Sequence, residues 1–143
     1  RLVRDPRVKV LDSTNARSMT VALIGDFDVV VADLSFISLT LVLPALKSVS
    51  TPTADFLVMV KPQFEVGRDK LGAGGVVRDP ALRVSAIEEV AVAAAENGLG
   101  VVDITASRLP GPAGNVEYFL WLQSGAEPFS HEKALKAVAE GPK

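Results

Sequence analysis

Phe56-Leu57-Val58-Met59-Val60-Lys61 is the stretch that decides how this chain is read: five apolar residues run without a break into a lysine. A short apolar run of this kind has the pattern of a strand buried in a parallel sheet. The same design stands upstream, where Val29-Val30-Val31-Ala32 ends on Asp33. It stands again downstream, where Gly114-Asn115-Val116 leads to Glu117 and into Tyr118-Phe119-Leu120-Trp121-Leu122. In an open α/β sheet the carboxyl ends of the parallel strands form the ligand crevice. A carboxylate, an amine and a second carboxylate could therefore face one site, which makes an enzyme the leading reading.

Outward from these runs the chain keeps an α/β rhythm. Val8 to Leu11 reads as a short strand followed by the polar turn Asp12 to Arg17, and Phe27 to Ala32 as a strand buried on both faces. Leu39, Val42, Leu43 and Leu46 recur at helical spacing before the next buried strand, Asp55 to Val60. A long loop, Val66 to Arg78, contains Gly67, Gly72, Gly74 and Gly75. Asp79-Pro80 then supplies an N-cap and a first-turn proline for a helix with Val84, Ile87, Val90, Ala91 and Ala94 on one face, ended by Asn97-Gly98. Val101 to Ala106 and Val116 to Leu122 follow as strands around Pro110-Gly111-Pro112. Their connection is too short for a parallel crossover, so they pair antiparallel. His131 to Ala139 reads as a short helix of mixed charge. The fold class is α/β: a parallel sheet that closes with an antiparallel hairpin.

Composition narrows the function. With 143 residues, 48% of them hydrophobic, and a mean hydropathy of +0.30, the chain can build a real core and is too apolar for disorder. It starts at Arg1 rather than at a methionine, which suggests the distal part of a longer domain. The formal net charge of -2 gives no overall electrostatic footprint for nucleic acid, so such affinity would come from a local patch. Zero cysteines and a single histidine, His131, argue against disulfides, thiolate metal sites, multi-histidine metal sites and a Ser-His triad. They fit a cytoplasmic protein. The sequence has neither a run of eighteen apolar residues nor a signal-peptide pattern.

Asp33-Leu34-Ser35-Phe36-Ile37-Ser38, Lys61-Pro62-Gln63-Phe64-Glu65 and Gly114-Asn115-Val116-Glu117-Tyr118-Phe119 together resemble the FtsJ-like ribosomal RNA methyltransferases, and within them the TlyA type, sometimes labelled hemolysin A. The resemblance runs to about Leu122. It implies a Rossmann-like, seven-stranded S-adenosylmethionine-binding sheet whose last pair is antiparallel and whose first strands would precede Arg1. Residues 1–124 would then be part of the methyltransferase domain and 125–143 a tail with a short helix. It further implies methyl transfer to ribose 2'-hydroxyls by a Lys-Asp-Lys-Glu tetrad, with Asp33, Lys61 and Glu117 on its last three members. The first lysine, the glycine-rich cofactor motif, the acidic ribose ligand and an S4-like RNA-binding module would lie before Arg1. The implied partners are ribosomal RNA or ribosomal subunits, with no membrane and no metal.

The residue types suit that chemistry. A ribose hydroxyl is a weak nucleophile, so a positioned base must take its proton while the methyl carbon is held in line. Lys61 could be that base where a neutral amine is populated. Asp33 could orient it or attract a sulfonium, and Glu117 could fix the lysine or a ribose hydroxyl. Each has a plainer alternative: Asp33 as a helix cap, Lys61 as a solvated strand end, Glu117 as a partner of Arg108 or Lys61.

Asn15 and Ala16 could contact adenine or form only a polar turn, and Leu34 could line the cofactor pocket or the core. The Gly72-Ala73-Gly74-Gly75 stretch reads as a mobile substrate lid. Arg68, Lys70, Arg78 and Arg83 around it could meet RNA phosphates or form a solvated surface. Pro110-Gly111-Pro112 and Asn115 could shape the acceptor pocket. Phe64, Tyr118 and Trp121 could stack on a flipped nucleotide, although Trp121 reads better as core. Two rival classes lack their signatures, a dinucleotide oxidoreductase its G-x-G-x-x-G and a membrane-active lytic protein its apolar span or basic amphipathic helix. A non-catalytic RNA-binding fragment is the third reading.

Overall fold

The computed structural model describes residues 2–127 and 129–142. Its regular elements are α1 Val21–Ile24, β1 Phe27–Ala32, α2 Leu43–Ser48, β2 Ser50–Val60, α3 Pro62–Glu65, α4 Pro80–Glu96, β3 Leu99–Ala106, β4 Tyr118–Ser124 and α5 His131–Glu140, with single 3₁₀ turns between them. The four strands form one sheet in the order β1-β2-β4-β3. β1 and β2 run parallel, with Val31 opposite Leu57, and β4 runs antiparallel to both β2 and β3. The expected closing hairpin is therefore present, and β4 inserts between β2 and β3.

α4 forms where the sequence signals converge. Asp79 Oδ1 accepts from the Ala81 N–H at 2.8 Å, Pro80 occupies the first turn, and Gly98 takes a positive φ of 73° beyond the last turn. Its buried face, Val84, Ile87, Val90, Ala91 and Ala94, joins Leu43 and Leu46 of α2 and Ala134, Ala137 and Val138 of α5 in one core. From the sheet come Val30, Phe56, Val58, Val60, Val101, Tyr118, Leu120 and Leu122. Each aliphatic side chain fully buried there contributes about 1.5–3 kcal/mol of transfer free energy.

The opposite face of the sheet is uncovered, which corrects the reading of Phe27 to Ala32 as buried on both faces. Val29 and Val31 are 63% and 68% exposed, and their sheet neighbours Leu57 and Trp121 are each 41% exposed. Side chains alternate across a strand, and α2, α4 and α5 all pack on the side of Val30 and Phe56. Trp121 is thus a surface residue rather than core, its indole N–H donating to Asp55 Oδ1 at 2.6 Å. A second correction concerns Val8 to Leu11, which is not a strand. It finds no ladder partner among the described residues, and a strand exists only through such pairing. No helix among the described residues is long and apolar enough to cross a membrane.

Candidate active site

Lys61 stands where β2 turns into α3. Val60 is the last strand residue, Pro62 fixes the first helical turn, and the Phe64 N–H donates to the Lys61 carbonyl at 2.8 Å. The side chain is therefore projected from the carboxyl end of a central strand, yet it is not the solvated strand end that the plainer reading allows: only 8% of the residue is exposed. Its Nζ lies 2.6 Å from Asp33 Oδ1 and 3.9 Å from Glu117 Oε1, and donates to Ser35 Oγ at 3.1 Å. Three separate segments, the ends of β1 and β2 and the approach to β4, converge on one amine. Asp33 keeps 64% of its side chain exposed, whereas Glu117 is buried and its Oε1 accepts no hydrogen bond. A buried carboxylate oxygen with unused acceptor capacity awaits a donor.

The loop after β1 is held over Lys61 by Glu65, a residue the sequence reading left without a role. Glu65 Oε2 accepts from Ser38 Oγ at 2.5 Å and Oε1 from the Leu39 N–H at 3.0 Å. With its proton given to Glu65, Ser38 Oγ accepts from Thr40 N at 3.1 Å and so also caps the 3₁₀ turn Leu39–Leu41. Burial pushes the Glu65 carboxyl above its usual range, and the hydrogen bonds from Ser38 and Leu39 pull it partly back. Ser35 and Phe36 are further omissions. Phe36 is 92% exposed at a φ of +64°, and its ring centroid lies 5.2 Å from that of Phe64. A bulky residue held in the left-handed region, with its ring in solvent, is strain of the kind found at functional sites. No linear pattern announces it.

Glu117 is packed from the other side by the loop 110–115. A Cβ placed on Gly111 would lie 2.5 Å from Glu117 Oε1, so a larger residue there displaces the carboxylate. The Gly111 N–H donates to Asn115 O and the Ser107 N–H to Glu117 O, closing the loop at both ends. Asn115, buried, reaches across to the glycine-rich loop: Oδ1 accepts from Val77 N at 3.0 Å and Nδ2 donates to Gly75 O at 3.1 Å. The stretch read as a lid, Gly72-Ala73-Gly74-Gly75, thus lies in a loop anchored by buried Val66, Val76 and Val77, with Leu71 partly buried against the core and residues 67–70 and 72–74 exposed.

The remaining candidates divide. Arg83 is no phosphate ligand, being buried with its Nε donating to Val77 O at 2.9 Å, while Arg68, Lys70 and Arg78 are exposed. Tyr118 is fully buried beneath the sheet and offers no stacking face. Asn15 caps the 3₁₀ turn Ala16–Ser18, its Oδ1 accepting from Arg17 N at 3.0 Å. Ala16 and Leu34 are partly buried against the core.

The comparisons with known proteins agree with this architecture. The model of the FtsJ-like methyltransferase family matches residues 1–124. A Mycobacterium tuberculosis protein named 16S/23S rRNA (cytidine-2'-O)-methyltransferase TlyA is 52% identical over 99% of this chain and 55% of its own length. Hemolysin A of Brachyspira hyodysenteriae is 31% identical over 82% of this chain and 50% of its own. A solved structure named "Putative hemolysin from Streptococcus thermophilus" superposes with a TM-score of 0.89 at 31% identity, over 97% of this chain and 52% of its own. The chain therefore spans about half the length of these relatives. By the family model, by sequence identity and by fold, it belongs to the FtsJ-like methyltransferase family.

Proposed function

We propose that this chain carries the acceptor side of a site that transfers a methyl group from S-adenosylmethionine to ribose 2'-hydroxyls of ribosomal RNA. One observation carries the reading: a buried lysine amine at a strand end, gripped by Asp33 and facing Glu117 Oε1, which accepts no hydrogen bond. When bound, S-adenosylmethionine supplies an electrophilic methyl group on a cationic sulfonium. Asp33 fits such a cation, since its carboxylate is exposed at the carboxyl end of β1 and spends one oxygen on Lys61. In this reading Asn15, Ala16 and Leu34 lie along the adenine. In its neutral form the Lys61 amine takes the proton that the 2'-hydroxyl releases, Asp33 and Ser35 set its direction, and Glu117 accepts from a ribose hydroxyl or steadies Nζ. The tilted Phe36–Phe64 pair gives the target base an aromatic face beside that lysine. Ribosomal RNA as substrate and a cytoplasmic location follow from the same reading, supported by the name of the mycobacterial relative and by the absence of cysteine from the sequence. No observation on this chain favours the membrane-active reading that the hemolysin names suggest.

Lys61→Ala tests the assignment. It should lower 2'-O-methyl transfer to ribosomal RNA by roughly 10²–10⁴, the usual range for losing a positioned acid or base, with cofactor affinity little changed. Asp33→Ala should lose transfer and also weaken cofactor binding. Transfer at the normal rate by Lys61→Ala would end the base assignment.

A further inference from the structure

A groove of about 480 Å³ opens between β3 and α5, its lining without Asp33, Lys61 or Glu117, and nothing above uses it. Its polar lining is Asp103, Thr105 and Arg108 on one wall and Lys133, Lys136 and Glu140 on the other. Lys133 and Lys136 are three residues apart on α5 and so share a face. All three cations are exposed, and among the described residues none forms an ion pair with Asp103 or Glu140, although all five share the groove. Asp103 instead accepts from the Ile104 N–H at 2.9 Å, and Lys133 donates to Val102 O at 2.8 Å. That bond covers a backbone carbonyl on the outer strand of the sheet, which argues against an added strand as the occupant. Cations that leave neighbouring carboxylates unpaired while facing an open groove suit an anionic ligand.

We propose that this groove holds backbone phosphates of the substrate RNA. The inference rests on the ribosomal RNA reading and adds a docking track to it. Its continuity with the candidate site favours RNA over a small anion: Arg108 directly follows Ser107, whose N–H donates to Glu117 O at 2.8 Å. A strand whose reacting ribose sits against Glu117 passes its neighbouring phosphates by Arg108 and then along Lys136 and Lys133. Such contacts fix register and orientation without reading sequence.

The test is the salt dependence of binding of a fluorescein-labelled ribosomal RNA stem-loop, followed by anisotropy, for the unaltered protein, Arg108→Gln/Lys136→Gln and Lys47→Gln. The double variant should bind several-fold more weakly, and the slope of log K against log[NaCl] should flatten by about 1.5, the expectation for two lost phosphate contacts. Lys47→Gln, whose amine donates to Ser124 Oγ at 2.9 Å outside the groove, should bind RNA like the unaltered protein. Unchanged affinity and slope in a folded double variant would overturn the proposal while leaving methyl transfer standing. Absence of transfer by the unaltered protein, with the slope change intact, would instead overturn the enzymatic reading alone. No RNA binding by the unaltered protein, or weakened pyrophosphate binding with an unchanged RNA slope, would also overturn the groove assignment.

Discussion

Gly111→Ala should disable the site without removing any charged group. The backbone at Gly111 has φ −70°, which alanine adopts freely, so the effect is one of space. The new Cβ would lie 2.5 Å from Glu117 Oε1 and 2.7 Å from its Cδ. Ordinary contact begins near 3.4 Å, so the carboxylate must retreat by about 0.9 Å. That moves Oε1 out of the position in which it stands 3.9 Å from Lys61 Nζ. A misplacement of about 1 Å in a positioned group costs on the order of 10²-fold in rate, or about 2.7 kcal/mol of barrier. Stability should move less. Overpacking costs about 1–3 kcal/mol, and the smaller entropy of an unfolded alanine returns about 0.4–1 kcal/mol. Single-turnover transfer of labelled methyl to ribosomal RNA, with urea unfolding alongside, reads both quantities. Because the substitution acts through Glu117, it should add nothing in a Glu117→Ala background. A full-rate Gly111→Ala protein, or an undiminished further loss on top of Glu117→Ala, would refute the reasoning.

Glu65 makes a prediction about pH. Its folded carboxyl is raised, so its stabilising contribution is present below the ordinary carboxylate range and lost as pH rises through the folded value. Urea midpoints of the unaltered protein relative to Glu65→Gln should therefore improve between neutral pH and about pH 4.5, and parallel profiles would contradict the assigned burial. Asn115→Ala removes both bonds to the glycine-rich loop and leaves the Val77 N–H without its partner, a loss of about 1–3 kcal/mol. The stretch 67–75 should then be cut faster under limited proteolysis. Unchanged cleavage and stability would show that Asn115 does not hold the loop.

What could be read from the sequence and what could not differ by the range of the interaction. β1, α4, α5 and the β3–β4 hairpin are legible because their signals are local: apolar runs, Asp79-Pro80 before a periodic face, and a connection too short to cross over. Asp33, Lys61 and Glu117 are legible for the same reason, since a polar residue at the end of an apolar run marks the rim of a sheet. The exposure of Val29 and Val31 is not local. It depends on which helices pack on each face, and a β-branched run looks the same whether one face or both are covered. Val8 to Leu11 fails likewise, because propensity proposes a strand but only a neighbour makes one.

Glu65, whose role escaped the sequence, and Asn115, read there only as shaping the acceptor pocket, both act through partners far away in the chain. Glu65 is 26 residues from Leu39, and Asn115 is 38 from Val77. Their side chains serve the fold only because β2 and β4 bring the loops together. Each also holds a loop rather than a reacting atom. Glu65 fixes the loop that carries Asp33 and Ser35 onto Lys61, Gly111 leaves the space that Glu117 fills, and Asn115 ties that wall to the glycine-rich loop. A strand-end lysine alone is a mobile ammonium on a four-carbon stem. Here Asp33 and Ser35 clamp the amine on the side of β1, and on the side of β4 it faces Glu117 Oε1, which accepts no hydrogen bond. The geometry of the candidate site is thus a property of its three loops held against one another, and the strands supply the points from which they start.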